Sequence, residues 1–332
     1  MHVRTSFHQT LLPTLSRHTL SPRETASVGF RMVAAMTLVV CLAPGAVTHA
    51  ETDPRESQPW PPSTTGQNSS YRIVGKETLI ELAPETVLGY DSLRRANPAI
   101  DPWLPKPGDE VLLPHFTIVP DEVVPGITIN LPEYRLYFLS DNTEGCQLQS
   151  FPAGIGSEQF PTPTGVYTVG TKIVNPWWKV PTDIRKERKL PAVVPPGKDN
   201  PLGGYWLGIS GRGIGIHGTN EPFGIGRLSS HGCIRLYPDD AKRLFPEVAI
   251  GTRVRIINQP IKLGIKLDAL FLEVHPRLYG QEIDPLAVVL HQIERLEWRG
   301  EVDWREVELS IQEARGIPRV IGFYRSRTAL AK

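Results

Sequence analysis

The chain is short of net charge: 36 basic and 35 acidic side chains in 332 residues leave a formal balance of +1. A surface with no excess of one sign sets up no field to gather nucleic acid or anionic lipid, so no nucleic acid partner is expected. Cysteine is scarce, with three in the whole chain, too few for a disulfide framework. No pair of histidine and cysteine ligands has the spacing of a zinc finger. A long apolar run is also missing. The most hydrophobic stretch, Met32 to Ala43, falls short of the roughly 20 residues a bilayer-spanning helix needs, so no permanent membrane span is expected.

That stretch does have informative flanks. Arg23 and Arg31 precede it, and Pro44-Gly45 and the small-residue run Ala46 to Ala50 follow, which is the order of an export signal cleaved after Ala50. Residues 1–50 are therefore read as a signal peptide, with Met32 an alternative start because the basic leader is long. Lipidation at Cys41 is disfavoured because Val39-Val40 lacks the small residue that usually precedes a lipidated cysteine. Cys146 and Cys233 remain, in an oxidising compartment where they either form one disulfide or stay apart.

At this length two modest domains plus tails are expected. Residues 51–70 are polar and proline-rich and read as a linker. Residues 71–115 form a small module with a strand at Tyr71–Val74, a helical middle carrying Leu79, Leu82, Val87, Leu88 and Leu93, and a closing strand at Glu110–Leu113. Between 126 and 257 the pattern changes to short strands rich in β-branched and aromatic residues, among them Ile127–Asn130, Tyr134–Leu139, Gly165–Val169 and Arg253–Ile257. Such strands, split by glycine, proline and asparagine, predict a mostly β sandwich or barrel. Residues 258–332 carry Leu286, Val289, Leu290 and Ile293 at helical spacing, which predicts two or three helices packed on the β domain.

Chemistry concentrates in Ile216-His217-Gly218-Thr219 and Ser229-Ser230-His231-Gly232-Cys233-Ile234-Arg235-Leu236. A cysteine attacks as its thiolate and needs a nearby imidazole or positive dipole to form one at neutral pH. Two histidines are within reach, His231 in the same loop and His217 at the end of a short apolar run. Gly232 frees the backbone to turn and aim N–H groups at an oxyanion. After Leu236, Pro238 with Asp239 marks a helix start, with Leu244 and Phe245 on its apolar side. Singly, a buried cysteine is an ordinary small core residue, and a zinc site from His217, His231 and Cys233 suits the two-residue His-Gly-Cys step poorly.

The whole string resembles the signature of the L,D-transpeptidase catalytic domain. The likeness extends over Gly154-Ile155-Gly156, Thr162-Pro163-Thr164-Gly165 and Pro195-Pro196-Gly197-Lys198-Asp199-Asn200-Pro201-Leu202-Gly203. The preceding module resembles a LysM module, although Gly75-Lys76-Glu77-Thr78-Leu79 departs from the usual Gly-Asp-Thr-Leu opening and Pro84 interrupts the first helix; the alternative is a spacer that only packs on its neighbour. This layout is similar to the periplasmic enzymes of Gram-negative bacteria. The resemblance implies a mostly β catalytic domain of L,D-transpeptidase fold at 126–257, with no cofactor, metal or ATP. It implies Cys233 as nucleophile, His217 as base held by the carbonyl of Gly218 or Thr219, and Gly232 and Cys233 N–H groups at the oxyanion. His231 and Ser230 shape the pocket and polarise the site, and Ser230, Thr219 and Trp178 count with Arg235 as the substrate-binding residues. Arg235 binds a substrate carboxylate or ties down the loop. Trp178, within Asn175-Pro176-Trp177-Trp178-Lys179, belongs to a lid over the donor site that continues to Arg185 and Lys186, or else to a packed surface loop. The implied partners are peptidoglycan stem peptides and glycan strands, with a lysine-ended lipoprotein as one possible acceptor. Hydrolysis by an L,D-carboxypeptidase or amidase would use identical residues. A wall-binding protein with an inactive catalytic fold is disfavoured because His217 and Cys233 are both present.

Overall fold

A computed structural model describes residues 62–142 and 145–324; the expected export signal and the first half of the expected linker lie outside them. The second half of that linker is built into the fold. Strand β1 (Thr64–Thr65) pairs antiparallel with Thr117–Ile118, Ser63 O accepts the Val119 N–H at 3.0 Å, and β2 (Ser69–Arg72) begins at Ser69. Polar composition hid these strands because their partners lie far away in the chain, and backbone pairing makes no demand on side-chain hydrophobicity.

The module has the expected order of strand, two helices and strand. At the turn after β2, Glu77 accepts the N–H groups of Val74 at 2.7 Å and Gly75 at 2.8 Å, and these donors hold its carboxyl below the usual range. Helix α1 (Leu79–Glu85) starts at a reciprocal capping box in which Thr78 Oγ1 accepts the Glu81 N–H and Glu81 accepts the Thr78 N–H. Pro84 lies in its last turn and the helix ends one residue later. Helix α2 (Tyr90–Ala96) follows, and β3 (Glu110–Leu113) closes antiparallel on β2. Leu79, Leu82, Leu88, Leu93 and Val111 form the module's own core.

Past β4 (Thr117–Ile118), the catalytic region is built on an eight-stranded sheet. Its strands are β5 (Gly126–Asn130), β6 (Arg135–Asn142), β7 (Gly145–Pro152), β9 (Gly165–Val174), β12 (Tyr205–Ile209), β13 (Gly215–His217), β15 (Ile234–Arg235) and β16 (Arg253–Ile257), in the order β15-β13-β12-β9-β16-β5-β6-β7. The pairs β13·β15 and β5·β16 are parallel. Two short strands, β8 (Ile155–Gly156) and β14 (Leu228–Ser230), pair separately, and β10 (Trp178–Lys179) pairs with β11 (Val193–Val194) around helix α3 (Thr182–Arg188). Period-two side chains such as Ile127 and Ile129 enter one core with Leu136, Val169, Ile216, Ile234 and Val254. Helix α4 (Pro238–Glu247) opens on Pro238 as expected and adds Ala241 and Leu244 to that core.

Beyond Gln259 the described residues hold two of the expected helices, α5 (Pro285–Arg295) and α6 (Trp304–Glu313), each capped by an aspartate, Asp284 and Asp303. They cover something the spacing did not announce: a four-stranded antiparallel sheet of β17 (Ile261–Lys266), β18 (Ala269–Val274), β19 (Glu301–Val302) and β20 (Arg319–Phe323), in the order β17-β18-β20-β19. Charges inside the apolar runs concealed these strands. Lys262 and Glu273 are buried because they neutralise each other at 3.0 Å, with Lys262 Nζ also 2.8 Å from Glu133 of the catalytic region. Burial acts to raise the Glu273 carboxyl, but the Lys262 charge, His275 and the Ile118 N–H outweigh it and lower the pKa to about 2. No helix among the described residues is long and apolar enough to cross a membrane.

Candidate active site

The parallel pair β13·β15 sets the site. Its register places Ile216 beside Ile234 and His217 beside Arg235, so Cys233, one residue before β15, comes level with Gly215, two residues from His217 along β13 and, by the alternation of strand side chains, on the same face. Both side chains line one cavity of about 600 Å³. The strand-and-loop approach foreseen from the sequence is therefore present.

His217 is 4 % exposed, and its Nδ1 lies 2.5 Å from Gly218 O. A carbonyl can only accept, so Nδ1 carries the proton and Nε2 presents its lone pair. Trp206 stacks on the ring at 5.5 Å between centroids and 21° between planes. Burial pushes the imidazole pKa down to about 4; the Gly218 bond opposes this and the Arg235 charge adds to it. Burial pushes the Cys233 thiol up, against the lowering effects of a Gly215 backbone hydrogen bond and of Arg235. Both shifts favour neutral forms, so the resting pair is thiol and imidazole rather than thiolate and imidazolium.

Gly232 sits at φ +99°, a conformation that favours glycine. Its N–H is already engaged within the loop. It donates to Ser230 Oγ at 3.1 Å, while that hydroxyl donates to Cys233 O. Ser230 is 3 % exposed, lines the cavity, and its hydroxyl bridges the Gly232 N–H and the Cys233 carbonyl, which fixes the loop around Cys233. Thr162, which the sequence suggested only as part of a matching string, donates to Gly232 O at 3.1 Å and accepts the Gly156 N–H at 2.9 Å. Tyr279, well outside residues 126–257, donates to Gly156 O at 2.7 Å.

The remaining expected residues divide. His231 is exposed at the cavity and packs against Phe160, with ring centroids 4.4 Å apart and planes tilted by 30°. Thr219, expected to touch substrate, is buried, accepts the Glu221 N–H at 2.9 Å and does not line the cavity. Arg235 does line it; its Nη1 is 3.4 Å from Glu221, and its buried Nε has no hydrogen-bond partner. Trp178 lines it from the flap, in register with Val194, together with Ile184, Arg188 and Leu190. Asn200, fully buried, pins the base of that flap by donating to Pro176 O at 2.8 Å and accepting the Leu202 N–H at 2.9 Å. Arg188 faces the cavity, whereas Arg185 and Lys186 do not. No disulfide joins Cys146 to Cys233: Cys146 is exposed on edge strand β7, at the other end of the sheet order from β15.

Residues 125–256 match the family model described as YkuD, the L,D-transpeptidase catalytic domain. The chain is 38 % identical over 269 residues to a protein named probable L,D-transpeptidase YbiS of Escherichia coli K12, covering 76 % of this chain and 87 % of that one. It is 38 % identical over 247 residues to probable L,D-transpeptidase YcfS of the same strain, covering 70 % and 76 %. Among solved structures, the catalytic domain of an Enterococcus faecium L,D-transpeptidase aligns at 26 % identity and a TM-score of 0.32, covering 42 % of this chain and all of that one. With a buried imidazole and a cysteine sharing one cavity, and with relatives aligned along most of their own length, the chain belongs to the L,D-transpeptidases and is a peptidoglycan enzyme of that family.

Proposed function

We propose that Cys233 and His217 carry out acyl transfer between peptidoglycan stem peptides in the periplasm. His217 Nε2 takes the proton from Cys233 Sγ as the sulfur attacks the carbonyl carbon of the L-centre of the diaminopimelate at position three of a donor tetrapeptide. The tetrahedral oxyanion is held by the Cys233 N–H, since the Gly232 N–H serves Ser230. The bond to the terminal D-alanine breaks, His217 gives its proton to the leaving amine, and a thioester remains. An acceptor amine then attacks the thioester carbon; its proton passes through His217 back to the departing sulfur. The observation that carries this reading is the Nδ1 contact to Gly218 O, which leaves Nε2 as base in the cavity that holds Cys233.

Arg235, with its unpartnered Nε, receives a donor carboxylate. The flap bearing Trp178 covers the donor, and the 71–115 module binds glycan strands. Incubating the protein with purified sacculi, with and without a lysine-ended acceptor peptide, separates the acceptors. New cross-linked muropeptides identify a stem acceptor, a peptide adduct identifies a protein acceptor, and tripeptide stems alone identify water. Unchanged muropeptides in all arms would refute the reading.

A further inference from the structure

The 71–115 module does not hang free of the catalytic region. It grips the chain on both sides of Cys233. Helix α2 has Gly89 at its N-cap, with no side chain to cap the helix, and its first N–H groups find carbonyls in the catalytic region instead: Tyr90 N donates to Ile225 O at 3.2 Å and Asp91 N to Gly226 O at 3.4 Å. Arg227 lies over the Tyr90 ring at 3.8 Å. On the other side of Cys233, Tyr237 donates to Leu88 O at 2.8 Å, in a buried bond.

The contact is as close as two backbones can come. A Cβ built on Gly226 would lie 2.4 Å from Gly89 Cα, and one on Gly89 would lie 2.9 Å from Gly226 Cα. Only a pair of glycines fits there. Gly226 is also at φ +77°, whereas Gly89 is at φ −75° and pays no backbone penalty for a side chain.

The segment held this way leads directly into the nucleophile loop. Gly226 N donates to Ala153 O, Ile155 N to Arg227 O, and Ser229 Oγ to Gly224 O; Glu221 at its start faces Arg235. From Ser229 the chain passes to Ser230, whose hydroxyl sets the backbone around Cys233. We propose that the 71–115 module is a positioning element for the reaction: its glycine-to-glycine contact and its carbonyl-capped helix hold residues 221–237 in the shape that aims Cys233, so a disturbance in the module is read as a change in turnover of a donor too small to touch it. This rests on Cys233 being the nucleophile.

The test is Gly89→Val in the full chain, a wedge outside the cavity at a backbone conformation valine accepts. Acylation of Cys233 by a soluble tetrapeptide donor should slow at least tenfold in kcat with KM little changed, since displacement of a reacting group by about 1 Å can cost up to about a hundredfold. Hydrogen exchange in peptides spanning 219–236 should quicken in the variant, while exchange in β5, β6 and β16 stays as in the parent. Tyr237→Phe, which deletes one bond and adds no bulk, should move both readouts in the same direction by a smaller factor. A folded Gly89→Val protein with parental kcat and parental exchange at 219–236 overturns the proposal. If the parent itself leaves Cys233 unacylated, the assignment of the nucleophile fails instead, and the exchange arm still decides whether the module shapes the loop.

Discussion

Because His217 is buried and its pKa is pushed down to about 4, the base should stay competent in mild acid. An imidazole with the ordinary value near 6.5 is about nine-tenths protonated at pH 5.5, and a reaction using it as base falls about tenfold between pH 7.5 and 5.5. At a value of about 4, only about 3 % of His217 is protonated at pH 5.5, so the rate should be flat to within about a tenth across that interval. The raised Cys233 thiol stays neutral there too, and contributes no rise until alkaline pH. Stability carries the same sign. The unfolded chain takes up a proton at this position below about pH 6.5 and the folded protein only near 4, so up to about 3 kcal/mol is lost as pH falls through that window. The loss from Glu273, whose pKa is lowered to about 2, begins only below its unfolded value near 4.5 and is separable. The assay is the initial rate of donor acylation, followed by intact mass between pH 5 and 8, with urea unfolding at the same pH values for the parent and for His217→Asn, which keeps a donor toward Gly218 O. A tenfold fall in rate with an apparent pKa near 6.5, or a bell centred between two neutral-range values, would refute a neutral resting pair.

Replacing Cys233 by alanine should abolish turnover and leave the melting temperature unchanged, whereas Cys146→Ser, at an exposed edge-strand position, should stay within about 0.5 kcal/mol of the parent by urea unfolding and keep full activity. Ser230→Ala strips the partner from the buried Gly232 N–H and should cost about 1–3 kcal/mol of stability, together with a fall in kcat rather than a rise in KM, because its hydroxyl fixes the loop around Cys233; a change confined to KM would make it a substrate contact instead. Lys262→Met removes the buried cation shared by Glu133 and Glu273, leaving them Arg135 at 3.8 Å and His275 at 2.7 Å, and should cost about 3–5 kcal/mol by urea unfolding; a near-neutral result would mean those neighbours suffice to neutralise the carboxylates.

What the sequence disclosed about the fold depended on where each element finds its partner. The strands around Ile127, Leu136, Val166 and Val254 could be seen because β-branched and aromatic residues recur in short runs bounded by turn residues, and α4 because Pro238 and Asp239 open it. The module's order could be seen for the same local reasons. Strands β1, β17 and β18 were hidden. β1 is polar and exists through backbone bonds to residues far along the chain, and β17 and β18 carry Lys262 and Glu273 where a strand reading expects hydrophobes. A buried charge is legible only when its counter-charge is known, and Glu133 is far from both in sequence.

The site shows a sharper version of the same limit. Residue types sufficed to single out Cys233 and His217 as a thiol and an imidazole, and the structure brings both to one cavity. Gly232 was singled out for its backbone freedom, and it sits at φ +99°. Where its N–H would point was not accessible, because that depends on Ser230 turning its hydroxyl back into the loop, and a serine two residues before a glycine has many other uses. Thr162 and Tyr279 went unnoticed as supports because both act on backbone groups, Thr162 between Gly232 O and the Gly156 N–H and Tyr279 on Gly156 O, which any hydroxyl at the right place could do. Gly89 and Gly226 show the other extreme. Their meaning lies in the absence of side chains, and only the packing of one backbone on the other shows that neither position tolerates an added carbon. Side chains that react declare themselves by type; groups that hold them in place declare themselves only by distance.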